Sequence, residues 1–182
     1  MKSIGITTNG LVLTSQLDKL VNAGLTHVNV SLDTLVPEKF ATITRRDSKS
    51  INKVLAAIYA SIGKVEEFNH SIDKNNGKGL GLRSVKVNCV LMRGLNDDEL
   101  PSFIRLSQDM PVDIRFIELM PFQGNQWEKQ KMVTYIEAID KLKQQGVTPT
   151  HSLTHSLTHS LTHSLTHSHT HSLAHLPCNS QE

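Results

Sequence analysis

Lys86 stands inside an apolar run, Val85-Lys86-Val87-Asn88-Cys89, and Arg115 stands likewise between Ile114 and Phe116. A cation in mid-strand is rarely buried without an anion, and two fixed cations are what a polyphosphate needs. Thr7, Asn29, Ser31 and Asn88 fall on the same alternation. Taken singly, Thr7, Ser31 and Asn88 read as well as side chains bonded to a neighbouring strand, and Asp33 and Glu118 as acceptors at strand ends. Other chemistries are poorly supplied. The chain has two cysteines, Cys89 and Cys178, in unrelated contexts, so neither a disulfide framework nor a cysteine metal cage can be built. Cys89 lies among valines and reads as a small buried hydrophobe.

Eight of the ten histidines fall after Val147, in a His-Ser-Leu-Thr tetrapeptide repeat. Histidines at i and i+4 would share a helix face as zinc ligands do, but Ser and Thr are mediocre helix formers and a four-residue period buries no core. Residues 148–182 are therefore expected to be a disordered, dispensable tail, with a histidine-rich metal buffer as the alternative.

The elements that must position the polar residues alternate between strand and helix in residues 1–147. Ile4 to Thr8 reads as a strand closed by Asn9-Gly10, and Ser15 to Ala23 as a helix stopped by Gly24. Val28, Val30 and Leu32 mark a second strand, and Ile51, Val54, Leu55, Ile58 and Ile62 the stripe of an amphipathic helix. Val85 to Leu91 is a third strand. After Gly94, Asn96-Asp97-Asp98-Glu99 supplies cap candidates for a helix through Leu106, which tolerates Pro101 in its first turn. Val112 to Leu119 is a fourth strand, and a last helix carries Ile136, Ile139 and Leu142. Such alternation implies an α/β fold with a parallel sheet. If Ile4, Ile6, Val28, Val30, Val85, Val87, Ile114 and Phe116 pack on helices, then Thr7, Ser31, Lys86 and Arg115 converge on the opposite, concave face, whose polarity is costly unless it binds something.

The chain has 182 residues with 38% hydrophobic and 20% charged side chains, enough for one domain with a core. Its net charge of +2 gives no nucleic-acid footprint, and no stretch has the length of a membrane span. The start at Met1-Lys2-Ser3-Ile4 does not read as a targeting segment.

Ile6-Thr7-Thr8-Asn9-Gly10, Asn29-Val30-Ser31-Leu32-Asp33-Thr34-Leu35, Val85-Lys86-Val87-Asn88 with Met92-Arg93-Gly94-Leu95-Asn96, and Ile114-Arg115-Phe116-Ile117-Glu118-Leu119-Met120-Pro121 together resemble the GTP 3′,8-cyclases. These MoaA-type radical S-adenosylmethionine enzymes act in molybdenum cofactor biosynthesis. The resemblance covers about 2–63 and 80–146. It implies an incomplete parallel (β/α) barrel, strands three to six of a six-stranded partial TIM barrel, with residues 64–79 a non-family insertion expected to be a mobile loop. It implies that Thr7, Lys86 and Arg115 meet GTP and that Ser31 and Met120 line the S-adenosylmethionine site. Strict alternation from Arg115 puts Met120 on the other face, so Met120 must lie beyond the regular strand. The resemblance further implies a homodimer, cooperation with the next enzyme of the pathway and, in a eukaryote, a mitochondrial matrix location. The family's [4Fe-4S] ligands have no counterpart in this chain, which alone is expected to be inactive. Alternatives are another radical enzyme and a non-catalytic nucleotide-binding half-barrel.

Overall fold

The computed structural model describes residues 3–74, 81–119 and 129–146. Its elements are β1 (Gly5–Thr8), α1 (Leu13–Asn22), β2 (His27–Ser31), α2 (Pro37–Thr44), a 3-10 turn (Ser48–Ser50), α3 (Ile51–Lys74), β3 (Ser84–Leu91), α4 (Leu100–Asp109), β4 (Asp113–Glu118), a second 3-10 turn (Lys129–Lys131) and α5 (Tyr135–Gln144). The four strands form one sheet in the order β1-β2-β3-β4, each neighbouring pair parallel. Each crossover carries a helix, as parallel pairing demands.

One face of the sheet is apolar. Val28, Val30, Val85, Val87, Cys89, Ile114 and Phe116 are buried there with Leu17, Val54, Ile58, Phe103 and Ile104 of the helices. Removing such aliphatic side chains from water contributes roughly 1.5–3 kcal/mol each. Phe103 meets Phe116 edge to face, with centroids 5.9 Å apart, the geometry that aromatic quadrupoles favour. β1 departs from the expected pattern, since Ile4 is 49% exposed and Ile6 only half-buried. Gly10, at φ 76°, lets the chain leave β1 with Val54 and Val30 methyls 3.1 and 3.2 Å from where a Cβ would stand. The first turns of α3 therefore pack at the C-terminal edge of the sheet.

The expectation of a loop from Lys64 is overturned, because α3 continues through Gly63 to Lys74. Val65 and Phe68 are 5% and 6% exposed. The Phe68 ring lies where a side chain on Gly81 would stand and beneath the Arg83 guanidinium, 5.6 Å from its carbon. Lys64 ties the helix to α1 through Asp18 at 3.0 Å. Residues 64–74 thus belong to a helix that packs through Val65 and Phe68; 75–79 and the tail 148–182 lie outside the described residues.

Three smaller differences concern helix ends. α2 was not expected; Val36-Pro37 starts it with proline in its first turn, and Arg45 at φ 56° ends it. α4 does accept Pro101 in its first turn, but Glu99 precedes it without a side-chain cap; Asn96, Asp97 and Glu99 are buried and otherwise engaged. In α5 it is Ala138 and Leu142 that are buried, while Ile136 is 69% exposed. A Thr134–Glu137 capping box starts that helix, and Arg93 clamps it with both Glu137 oxygens at 2.9 Å. No helix among the described residues is long and apolar enough to cross a membrane.

Candidate functional site

The parallel register assembles the polar face row by row. Thr7 pairs with Asn29, Asn29 with Lys86, and Lys86 with Asp113. The next row is Ser31, Asn88 and Arg115. Partners in a parallel ladder project to the same side, so both rows stand opposite the valine face. Thr7, Ser31, Lys86 and Arg115 therefore share one face, as the alternation predicts. Met120 lies outside the described residues.

The first row is partly self-satisfied. Asn29 Nδ2 donates to Thr7 Oγ1 at 3.4 Å, and Lys86 Nζ lies 3.7 Å from Asp113 Oδ2. Lys86 is only 23% exposed and Asp113 58%, so the carboxylate offsets part of the lysine's charge while facing water. The second row is less engaged. Ser31 is exposed and Arg115 half-buried, and neither makes a side-chain hydrogen bond or ion pair with the described residues. Between them Asn88 Oδ1 is buried without a hydrogen-bond partner, and Ser84 Oγ of the same strand and face shares that condition. Buried oxygens of this kind cost about 1–3 kcal/mol each, and these are the buried side-chain oxygens left unpartnered among the described residues.

At the C-terminal end of the strands a second set of polar groups holds the exits of β2 and β3 together. Asp33 Oδ1 accepts from the Val90 N–H at 2.8 Å, taking over where the β2 backbone leaves the ladder. Burial pushes the Asp33 carboxyl above its ordinary range, opposed by that N–H. Asn96, fully buried, donates to Asp33 O at 2.6 Å and Val90 O at 2.8 Å and accepts from the Met92 N–H at 2.7 Å. Glu99, 5% exposed, accepts from Thr34 Oγ1 and from the Leu35 N–H, both at 2.7 Å. Glu118 accepts from the Tyr135 N–H at 2.8 Å, the strand-end acceptor that its position suggests. Reading Asn96 to Glu99 as helix caps missed Asn96 and Glu99; the available signal was a polar run directly after a strand and a glycine, too long for one cap.

The donor set discriminates between cofactors. A [4Fe-4S] cluster is held by cysteine thiolates. Cys89 is wholly buried on the helix-covered face, its Sγ donating to Asp33 O at 3.6 Å. Burial, with the Asp33 and Glu99 charges adding, holds its thiol well above the ordinary value. No group of three or more metal-ligating side chains occurs among the described residues. The residues do not fit a cluster. They fit an anionic ligand such as a nucleotide better: an exposed hydroxyl, an unengaged guanidinium and an orphaned amide oxygen lie in one row, next to the Lys86 ammonium.

The family model described as the Radical SAM superfamily matches residues 1–107. Molybdenum cofactor biosynthesis protein 1 of Bos taurus is 48% identical over 145 residues, 80% of this chain and 20% of that protein. The mitochondrial GTP 3′,8-cyclase of Arabidopsis thaliana is 45% identical over 142 residues, 78% of this chain and 32% of that protein. The GTP 3′,8-cyclase of Alkaliphilus oremlandii is 40% identical over 144 residues, 79% of this chain and 39% of that protein. The chain thus spans between a fifth and two fifths of the length of these relatives. The resemblance carried by the four strand motifs is borne out.

Proposed function

Because this chain belongs to the radical SAM superfamily, we propose that its polar sheet face is the nucleotide-binding wall of a GTP 3′,8-cyclase, formed by strands three to six of a partial barrel. The observation that carries this reading is the register that sets Lys86 and Arg115 on one face of neighbouring strands. Two charge-assisted contacts at roughly 1.5–3 kcal/mol each hold a triphosphate loosely, and Thr7 adds a neutral hydrogen bond. Lys86 must leave Asp113 to engage phosphate, so Asp113 tempers the affinity. Ser31 faces S-adenosylmethionine, whose reductive cleavage supplies the hydrogen-abstracting radical in such enzymes. The family resemblance assigns Met120, which lies outside the described residues, to that second site.

The work of these residues is orientation and charge. Lys86 and Arg115 fix the phosphates, Thr7 the sugar or base side of the nucleotide, and the ordered strands hold all three at constant separation. With no three cysteines to hold a cluster, this chain by itself is a binding wall and does not turn over GTP. By extension from the relatives' names, the complete enzyme acts on GTP in molybdenum cofactor biosynthesis and, in a eukaryote, resides in mitochondria; a homodimer that passes its product to the next enzyme of the pathway is part of the same proposal and rests on the family resemblance alone.

Equilibrium dialysis of the chain against GTP, beside Lys86→Ala and Arg115→Ala, tests the reading. Millimolar binding that each substitution reduces about tenfold or more supports it. Binding indifferent to both substitutions removes its basis.

A further inference from the structure

We infer that Glu99 and Asn96 are positioning residues, which set Ser31 by gripping the loop that follows it. The inference rests on the reading of Ser31 as part of the ligand wall. Parallel sheets place ligands beyond the carboxyl ends of their strands, where loop geometry decides what a ligand meets. Ser31 ends β2, and two residues later the chain enters Asp33-Thr34-Leu35. That loop is held by side chains reaching over from the loop after β3, together with its own Asp33 carboxylate on the Val90 N–H and the Thr34 hydroxyl on the Val36 N–H.

Glu99 takes the Thr34 hydroxyl on one oxygen and the Leu35 N–H on the other, while the Lys39 ammonium lies 3.1 Å from the first oxygen. Asn96 joins Asp33 O to Val90 O through one amide nitrogen. The backbone adds a single link beyond the ladder, Leu32 N–H to Asn88 O at 2.9 Å. Both side chains are almost sealed from water, where a hydrogen bond to a charged group has greater worth than at the surface. A helix cap needs neither burial nor two chain-distant partners. Both residues are buried, Glu99 has two chain-distant partners and Asn96 has one, and what they fix is the direction in which β2 leaves the sheet. Loosening it frays the Ser31–Asn88 pair first, while Lys86, in mid-strand on β3, keeps its place.

The test compares wild type with Glu99→Gln, which keeps the shape but supplies one acceptor fewer, and with Thr34→Val, which removes only the hydroxyl and serves if Glu99→Gln fails to fold. Each is titrated with S-adenosylmethionine and, separately, with GTP, following the backbone amides of Ser31 and Lys86 by NMR at a temperature where circular dichroism shows all three folded. The expected result is about tenfold weaker S-adenosylmethionine binding at Ser31 with GTP binding at Lys86 changed less than about twofold. Unchanged S-adenosylmethionine affinity overturns the positioning role while leaving the functional reading intact. Equal loss of both ligands shows a merely structural role and also overturns it. Wild type that binds S-adenosylmethionine nowhere near Ser31 overturns the reading beneath it.

Discussion

Replacing Phe68 with alanine tests whether the long α3 belongs to the fold. Phe68 is 6% exposed, its ring fills the space above Gly81, and the Arg83 guanidinium covers it at 5.6 Å. Phe→Ala at an enclosed site costs about 3–5 kcal/mol, the spread reflecting how far neighbours collapse into the gap. Phe68 sits near the end of its helix with exposed Glu67 and Asn69 on either side, so partial collapse puts the loss near the lower figure, about 3 kcal/mol. Of this, the cation–π contact contributes about 0.5–1 kcal/mol. For a domain of this size 1 kcal/mol moves Tm by roughly 2–4 °C, so the expected drop is about 6–12 °C. The assay is thermal and urea unfolding of wild type, Phe68→Ala and the exposed control Glu66→Ala, with the urea slope unchanged if only stability is altered. A Phe68→Ala shift no larger than that of Glu66→Ala would refute the reasoning, and residues 64–74 would then be an appendage.

Three other outcomes follow from the structure. The Glu137 carboxyl is lowered to about 2 by the Thr134 N–H, then by Arg93 and the Thr134 hydroxyl. Its folded value lies below its unfolded one, so its stabilisation is complete above about pH 4.5 and is lost as pH falls towards 2; urea midpoints measured across that window should fall less steeply in Glu137→Gln than in wild type. The Cys89 thiol, buried and raised, should resist a thiol reagent until the chain unfolds. Anaerobic reconstitution with iron, sulfide, reductant, GTP and S-adenosylmethionine should give no cluster absorbance, no 5′-deoxyadenosine and no cyclised GTP; any of the three would show thiolates at work that the fold does not supply.

The sheet was legible because polar and apolar residues alternate through β2 and from Ser84 to Cys89 of β3, and parity alone fixes which side each residue takes. Order and direction followed from the alternation of strands with helices. The extension of α3 was equally present, since Ile58, Ile62, Val65 and Phe68 keep a helical stripe. The end of the family resemblance at residue 63 concealed it. Gly63 has open space around it, and the packed turns beyond it outweigh its roughly 1 kcal/mol helix penalty. The partners of Asn96 and Glu99 were not legible, because Thr34 and Asp33 lie more than sixty positions away along the chain and a polar run after a strand looks the same whether it caps a helix or reaches across to another loop. Ile136 failed for the opposite reason: one apolar residue on a short helix does not say which face is buried.

The claim that the polar face binds nucleotide is tested most directly by an amide NMR titration of the whole chain with GTP. The account predicts saturable shifts at Thr7, Asn29, Lys86, Asn88 and Arg115, with Leu17, Ile58 and Ile104 of the helix layer unmoved. Shifts confined to the helices or to the exposed cations Arg45, Arg46 and Lys49 would contradict it.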